Sequence, residues 1–550
     1  MKQKWWHDSV IYQIYPRSFQ DSNGDGIGDL TGIISRLDYL KELGVDLVWL
    51  CPVYASPNDD NGYDISDYYE INPEYGTIAD MEKLIAEAKK RGIGIMMDIV
   101  ANHTSDEHPW FIEACKNEQS KYRNFYIFRD GKNGAPPSDL SSVFSGSAWE
   151  YSDEAGQYYL HLFSKKQPDL NWHNPEVRQA MYEVLRFWIK KGIKGFRFDV
   201  IDLIAKEIDR GIISNGPLLH DYVQEMYNEA LKHMDVVTVG EANNADLEQA
   251  LLFSGEDREE LNMVFSFEHI ALDEVIGKQK WDLKSLEVAD LKRVFSKMQN
   301  GLAGKGWNGL FWNNHDQPRV VTRWGDDQKY RYESATMLAT LLHLLQGTPY
   351  IYQGEEIGMT GIRFPSLDSY KDIETHNMYQ DRIAKGYPHD EIMESIYVKG
   401  RDNSRTPMQW DCSARAGFTT AIPWIEVNPN YKKINVEVDR NAERSIYRYY
   451  QRLIQLRKNN RIIVKGEYQL LETSNDIYAY TRNLDEETWY VLCNFTDKQV
   501  NCSYLKLLEK GEVVMHNYFP PSCNQVLRPY EVMVLKVKNR EGDYNGSNQM

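Results

Sequence analysis

The segment Asn174-Pro175-Glu176-Val177-Arg178-Gln179-Ala180-Met181-Tyr182-Glu183-Val184-Leu185-Arg186-Phe187-Trp188-Ile189-Lys190-Lys191-Gly192-Ile193-Lys194-Gly195-Phe196-Arg197-Phe198-Asp199-Val200 decides the fold. Asn174 followed by Pro175 is a helix N-cap and first-turn pair. Behind it Val177, Met181, Val184, Leu185 and Trp188 recur at helical spacing. A short strand over 195–200 comes next, so one helix feeds one strand. Within that strand, alternation puts Arg197 and Asp199 on one face and the two phenylalanines on the other.

The same unit recurs in both directions. Strands are expected over 10–14, 45–50, 93–100, 195–200, 236–240, 263–267, 309–312 and 349–352. Leu30, Ile33, Ile34, Leu37 and Leu40 have helical spacing, with Gly44 as the stop, and Met81, Leu84, Ile85 and Ala88 mark a helix ending near Gly92. Eight strands with helices between most of them predict an α/β fold closed as a (β/α)8 TIM barrel, with its active site at the strand C-termini. The barrel is expected to take residues 1–102 and 173–465. Residues 103–172, rich in aromatics and turn formers, read as a subdomain inserted after the third strand. Beyond it, 466–540 carries short alternating strands (468–471, 477–480, 489–494) and reads as an all-β sandwich domain. The polar stretch 541–550 reads as a disordered tail.

Apolar content of 42% and charged content of 26% are ordinary for a globular chain, and 550 residues exceed what a single core supports. The net charge of −18 excludes a basic nucleic-acid surface and argues against anionic membranes. No run reaches about 18 apolar residues, so no membrane span is expected. The N-terminus has no apolar signal-peptide run, and the six cysteines are scattered. A cytoplasmic, monomeric protein with reduced thiols is the expectation. Aromatics reach 12%, with 14 Trp and 36 Tyr, which suits stacking on sugar rings as well as a Tyr-rich core.

Polar groups gather at the ends of the predicted strands. Arg197 beside Asp199 is expected to stabilise the ionised carboxylate and lower its pKa, as a nucleophile requires. Glu241 follows the fifth strand, where a partly dry cleft suits a general acid. His315 and Asp316 end the seventh strand, and Asp98 and His103 end the third. Each group alone also fits a structural ion pair or a solvated acid. Together they suit glycoside hydrolysis through an oxocarbenium-like transition state.

Four segments carry a resemblance: Asp98-Ile-Val-Ala-Asn-His103, Gly195-Phe-Arg-Phe-Asp199, Val239-Gly-Glu241 and Asn313-Asn-His-Asp316. In that order they resemble the signature segments of the α-amylase superfamily, glycoside hydrolase family 13. Gln167-Pro-Asp-Leu-Asn171 is similar to its additional segment, and likeness extends from Trp5 to about Lys538 through Asp60-Asn-Gly-Tyr-Asp64 and the stretch from Arg401 to Trp410. Within the family the pattern is most similar to the oligo-1,6-glucosidase and dextran glucosidase subgroup. The resemblance implies a retaining, exo-acting α-glucosidase that removes terminal α-1,6-linked glucose from small oligosaccharides. It implies Asp199 as nucleophile, Glu241 as general acid/base and Asp316 as transition-state stabiliser. His103, Arg197 and His315 would line that subsite, and Asp60, Tyr63 and Arg401 would close its far end. Val200, directly after the nucleophile, accompanies α-1,6 preference in this family.

A loop after the first strand, Asp21-Ser-Asn23-Gly-Asp25-Gly-Ile27-Gly-Asp29, spaces oxygen ligands like part of an EF-hand, with the carbonyl of Ile27 in the backbone-ligand place. Gly32 stands where the bidentate glutamate would be. Related family members carry a structural Ca²⁺ here, so Asp21, Asn23, Asp25, Ile27 and Asp29 are the expected ligands, with no organic cofactor. Trehalose-6-phosphate hydrolase is the nearest rival, but the segment 207–217 is short. A sucrose isomerase would carry an arginine-rich loop between Phe267 and Trp307 that has no counterpart here. A catalytically dead transporter subunit would need a membrane span and would not keep all three carboxylates.

Overall fold

Runs such as Leu47-Val48-Trp49-Leu50 are apolar on both faces, which only a parallel sheet covered on its outer side and filled within can satisfy. In the computed structural model, which describes residues 3–522 and 524–538, all eight expected strands form. They are Ile11–Ile14, Leu47–Leu50, Gly94–Val100, Gly195–Asp199, Val237–Ala242, Met263–Ser266, Asn308–Leu310 and Thr348–Tyr352. Each pairs in parallel with the next, and the eighth pairs with the first to close the barrel. The expected tail over 541–550 lies outside the described residues, as does Cys523.

The helix Pro175–Lys191 begins as its sequence requires: the Asn174 side chain accepts from the backbone N–H of Glu176. Its buried stripe is Val177, Met181, Tyr182, Val184, Leu185 and Trp188, and Gly192 ends it in a left-handed conformation at φ 102°. The chain then enters the fourth strand, where Phe196 and Phe198 are buried in the core. Register does the rest. Asp98 lies across from Arg197 and Val100 across from Asp199, while Val239 and Gly240 pair with Arg197 and Phe198. Parallel pairing therefore delivers Asp98, Arg197, Asp199 and Glu241 to one end of three neighbouring strands.

Glu241 is inside the fifth strand, which runs one turn of the pleat further than the sequence suggested. The single helix expected over 30–40 is two, Leu30–Ser35 and Leu37–Leu43, broken at Arg36. Arg36 binds Gln20 Oε1 through Nε and Nη2 (2.8 and 2.6 Å) and stacks on Trp410 at 4.0 Å, so loop contacts outweigh helix continuity there.

Between the third and fourth strands lie the helix Pro109–Lys116 and an antiparallel sheet of Phe128–Arg129, Gln157–Leu160 and Trp149–Ser152. Backbone bonds from Thr104 to Pro168 and from Leu170 to Asn102 tie this insertion to the barrel's C-terminal end. After the eighth strand the helices Ile373–Ala384 and His389–Lys399 gather an apolar cluster that includes Phe364, Tyr370, Met378, Ile392 and Ile396.

The C-terminal sheet has five antiparallel strands. Tyr478, Tyr480, Trp489 and Val491 face the barrel core, while Ile477, Ala479, Leu492 and Met533 face outward onto Cys502, Leu505 and Leu527. That outer layer is only a two-stranded ribbon and the 3-10 helix Ser503–Glu509. The expected sandwich is thus one full sheet with a partial cover.

Candidate active site

Arg197 is completely buried at the centre of the barrel's C-terminal end. Its Nη1 donates to Asp98 Oδ1 at 2.9 Å and Asp199 Oδ1 at 2.5 Å, and its Nη2 donates to Glu241 Oε2. Trp49 Nε1 and the Tyr63 hydroxyl donate to Asp98 Oδ2 at 3.2 and 2.9 Å, which fixes that carboxylate from the other side. The guanidinium also lies over the Trp49 and Tyr63 rings at 5.2 and 5.8 Å.

Three carboxylates share this one cation. Burial, and then the negative charges of Glu241 and Asp98, push the Asp199 carboxyl well above its ordinary range against the pull of Arg197. This reverses the expectation that Arg197 alone would lower it. The guanidinium is divided among three acids, and each acid also feels the others.

Val200, which follows Asp199, sits at φ 35° and ψ 47°. A β-branched residue in the left-handed region is a genuine outlier. The conformation turns its backbone N–H to within 3.3 Å of Glu241 Oε2, so one turn links the two catalytic candidates. Its side chain packs in a cluster with Ile127, Trp149, Leu160 and Leu162 of the insertion and Leu203 of the barrel.

The opposite end of the pocket is closed by a second charged group. Arg401 Nη2 donates to Asp60 Oδ1 at 2.9 Å and its Nη1 to Asp316 Oδ1 at 3.3 Å. Its Nε donates to Asp372 Oδ1 at 2.9 Å and lies 3.4 Å from Glu374 Oε2. Arg405 donates to Asp316 Oδ1 at 2.8 Å and to the His315 carbonyl at 2.9 Å. His315 stacks on Tyr63 at 5.1 Å and 7°, with Nδ1 2.9 Å from Gln13 Nε2 and Nε2 2.9 Å from Asp316 Oδ2. Although burial opposes it, the Asp316 charge raises His315 to about 10, and His315, Arg401 and Arg405 together hold Asp316 well below the carboxylate range. His103 is on the same wall, its Nε2 3.2 Å from Gln167 Nε2, which in turn donates to Asp60 Oδ2 at 3.2 Å.

The structure thus joins Asp199 and Glu241 on Arg197, and Asp60, His315 and Asp316 around Arg401, with Tyr63 touching both groups, His103 against the Tyr63 carbonyl and Val200 beside Asp199 and Glu241. Residues 13–466 match the family model described as Alpha amylase, catalytic domain. The chain belongs to the α-amylase family.

Like this family member, relatives of known name span nearly its whole length. It is 54% identical to an oligo-1,6-glucosidase of Halalkalibacterium halodurans over 561 residues, covering 98% of this chain and 100% of that one. It is 54% identical over 501 residues to a glucan 1,6-alpha-glucosidase of Streptococcus pneumoniae, covering 91% of this chain and 93% of the relative. The crystal structure of a Bacillus licheniformis trehalose-6-phosphate hydrolase superposes with a TM-score of 0.91 at 46% identity, covering 98% and 100%.

Four residues in contact with the site were given no site role from the sequence: Arg405 and Gln167, which lie inside segments quoted for the resemblance, and Asp372 and Glu374. Arg405 is one helical turn after Arg401, a spacing that places both on one face and was readable. Asp372 had a signal as the N-cap of Ile373–Ala384, accepting from the Thr375 N–H, but nothing in that pattern tells that its other oxygen binds Arg401.

The loop after the first strand wraps around its own oxygens. Asp21 accepts backbone N–H bonds from Asn23, Gly24 and Gly26 at 2.9, 2.7 and 2.9 Å. Asn23 Oδ1 accepts from the Asp25 N–H, and Asp25 Oδ1 from the Ile27 N–H. Asp29 is turned to Ser22 and to the Gly32 N–H at the helix start. Among the described residues no Lys or Arg forms an ion pair with Asp21, Asp25 or Asp29, and no three His, Cys, Asp or Glu side chains converge as a ready metal cluster. Three carboxylates, an amide oxygen and the Ile27 carbonyl lie along this loop, and hard cations are bound by oxygens of these kinds. A Cβ on Gly32 would meet the Gln20 carbonyl oxygen at 1.9 Å, which explains why no glutamate completes the motif.

Because Glu241 and Asp98 hold the Asp199 carboxyl up, the acid limb of kcat/KM is expected above the ordinary aspartate value of about 3.9. Asp98→Asn removes one of those charges and should move the limb to lower pH; a pH–rate profile on each protein measures it. An acid limb that stays in place would contradict the shared-cation account.

Proposed function

We infer that this chain is a retaining exo-α-glucosidase that hydrolyses terminal, non-reducing α-1,6-linked glucose from isomaltose, panose and isomaltooligosaccharides. The observation that carries the reading is a pair of buried, arginine-centred acid clusters that meet at Tyr63. Asp199 and Glu241 grip one guanidinium at the reacting end, and Arg401 joined to Asp60 seals the other. The names of the relatives that match over nearly the whole chain supply the linkage. The likeness to a trehalose-6-phosphate hydrolase is a likeness of fold at lower identity and does not favour that activity.

In this reading Asp199 attacks the anomeric carbon while Glu241 gives its proton to the leaving oxygen, and Glu241 then activates water against the glycosyl-enzyme. Two carboxylates on one planar fork fit the close spacing of about 5–5.5 Å that retaining enzymes use, rather than the wider gap of about 6.5–9.5 Å that admits a water in inverting ones. Asp316, held ionised by His315 and two arginines, stabilises the transition state through the sugar hydroxyls. Arg197 orients both acids. Asp60 and Arg401 bind the hydroxyls of the terminal glucose and leave no path for a further sugar. Hydrolysis of isomaltotetraose by the wild-type enzyme tests the whole assignment. Glucose and isomaltotriose should appear first, the glucose as the α-anomer by NMR, and Asp199→Ala should be near background. Isomaltose as the main early product, or β-glucose, would overturn it.

Val200 is the linkage element. Its branched side chain is buried in one cluster with residues of the insertion, directly after Asp199 in the chain, and in this reading it excludes one orientation of the aglycone sugar. A steric change of this size is worth roughly 1–3 kcal/mol, or about 10–200-fold. Val200→Ala should raise the rate on maltose relative to isomaltose; an unchanged ratio of kcat/KM would remove Val200 from the specificity.

Ca²⁺ at Asp21, Asn23, Asp25, the Ile27 carbonyl and Asp29 stabilises the loop that joins the first strand to its helix and takes no part in the reaction. The run of three aspartates and an asparagine without a Lys or Arg ion pair among the described residues supports this. Binding to the native state raises apparent stability by mass action. The melting temperature should rise with added Ca²⁺, and Asp25→Ala should abolish that dependence; identical melting with and without Ca²⁺ would make the loop an acidic turn. No described helix is long and apolar enough to cross a membrane. All five described cysteines are free thiols, which supports a reducing, cytoplasmic setting.

A further inference from the structure

A buried chain of hydrogen bonds runs behind the wall of the pocket, and the reaction as described makes no use of it. Lys206, on the loop after the fourth strand, places Nζ 2.7 Å from Asn102 Oδ1 and 2.8 Å from Asp169 Oδ2. All three residues are almost fully buried. An ammonium has donors only, so the Asn102 atom that faces it is the oxygen, and the amide nitrogen faces away. That nitrogen meets Asp169 Oδ2 at 3.1 Å and His103 Nδ1 at 3.2 Å. Asp169 is itself fixed, its Oδ1 accepting the Leu162 N–H at 2.8 Å.

The consequence falls on His103. Its Nδ1 faces an amide N–H and must be an acceptor. Its Nε2 faces the Tyr63 carbonyl at 3.1 Å, which can only accept. These two partners demand the same tautomer and outweigh the Gln167 amide N–H, which lies 3.2 Å from Nε2 and favours the other. We propose that Lys206 is a positioning residue which, through Asn102, fixes His103 as the Nε2–H tautomer and so ties the ring to the Tyr63 carbonyl at the terminal-glucose end of the pocket. Burial holds the imidazole neutral, with its pKa lowered to about 4, so the ring carries a single proton near neutrality and its placement matters. The inference rests on the reading of this end as a glucose subsite.

The bond to the Tyr63 carbonyl matters because Tyr63 also holds Asp98 Oδ2 through its hydroxyl and stacks on His315. Gln167 is locked by the Ser164 N–H on its Oε1 and by its own bond to Asp60. The other tautomer of His103 would turn a lone pair to the Tyr63 carbonyl and loosen that residue. Simple neutralisation of Asp169 by Lys206 would explain the ion pair but makes no demand on the ring of His103.

Long-range proton–nitrogen NMR of enzyme labelled with nitrogen-15 histidine reads the tautomer directly, and His103→Gln assigns the resonances. His103 should show the Nε2–H pattern in the wild type and in Lys206→Arg, whose guanidinium also only donates. Lys206→Met removes the donor on Asn102 Oδ1 and the cation that holds Asp169, leaving the amide oxygen unpaired unless the amide turns. It should shift His103 toward Nδ1–H and lower kcat/KM on isomaltose by about 10–100-fold, mainly through KM. Asn102→Asp keeps a partner for Lys206 but has no donor for Nδ1, so it should also give Nδ1–H; it decides the matter if Lys206→Met does not fold. A wild-type ring protonated at Nδ1, or an Nε2–H pattern that survives in the folded variants, would overturn the proposal. These spectra are taken without substrate, so inactivity on isomaltose would refute the functional reading and leave this one standing.

Discussion

Everything at the reacting end depends on one guanidinium being shared by three acids. Placing four ionised groups in a dry barrel mouth is expensive, and their attraction offsets that cost only where the geometry is good and the remaining polar atoms are satisfied. Arg197 supplies the geometry, Trp49 and Tyr63 satisfy Asp98, and the Val200 N–H meets Glu241. Loss of the cation would leave three buried carboxylates facing one another. The parallel register is what makes the arrangement reachable, since Asp98 pairs directly across from Arg197 and Glu241 comes one residue past Gly240 on the far side.

The two ends of the pocket use the same residue types to opposite effect. At the reacting end one cation serves three carboxylates, and Asp199 is pushed up. At the closed end Arg401 and Arg405 stand among Asp60, Asp316 and Asp372; burial still raises Asp60, while the last two are held down. Burial acts in the same direction on all of these acids, so the cations facing Asp316 and Asp372 are what hold those two down. Fixed negative charge is therefore kept at Asp316, the carboxylate that faces the sugar hydroxyls in the proposed reaction.

Sequence carried much of this and lost the rest for identifiable reasons. The strands were legible because each is short, apolar on both faces and ends in a polar group, so Asp199, Glu241, His315 and Asp316 stood out by position. Asp60 and Arg401, far apart on irregular loops, came from resemblance to a family and not from any period. Asp372 was missed because a helix cap explains an aspartate completely from local sequence. The direction of the Asp199 shift was misread because strand alternation shows Arg197 beside it but cannot count how many other acids that arginine serves. Arg36 interrupts a clean helical pattern through contacts with Gln20 and Trp410 that are remote in sequence.

Val200 is the sharpest conflict between local preference and the folded state. Intrinsic preference would keep a valine out of the left-handed region, and holding it there costs on the order of 1–3 kcal/mol. Burying a valine side chain is worth about 1.5–3 kcal/mol. The packing of Val200 against Ile127, Trp149, Leu160 and Leu162 is therefore of the right size to hold the strained turn. Those four residues all belong to the insertion, so this segment does more than roof the pocket: it stabilises the backbone conformation that aims the Val200 N–H at Glu241. A barrel without the insertion would still bring the three acids together by register, but the turn after the nucleophile would be free to relax, and the acid/base would lose one of the two bonds that hold it beside Asp199.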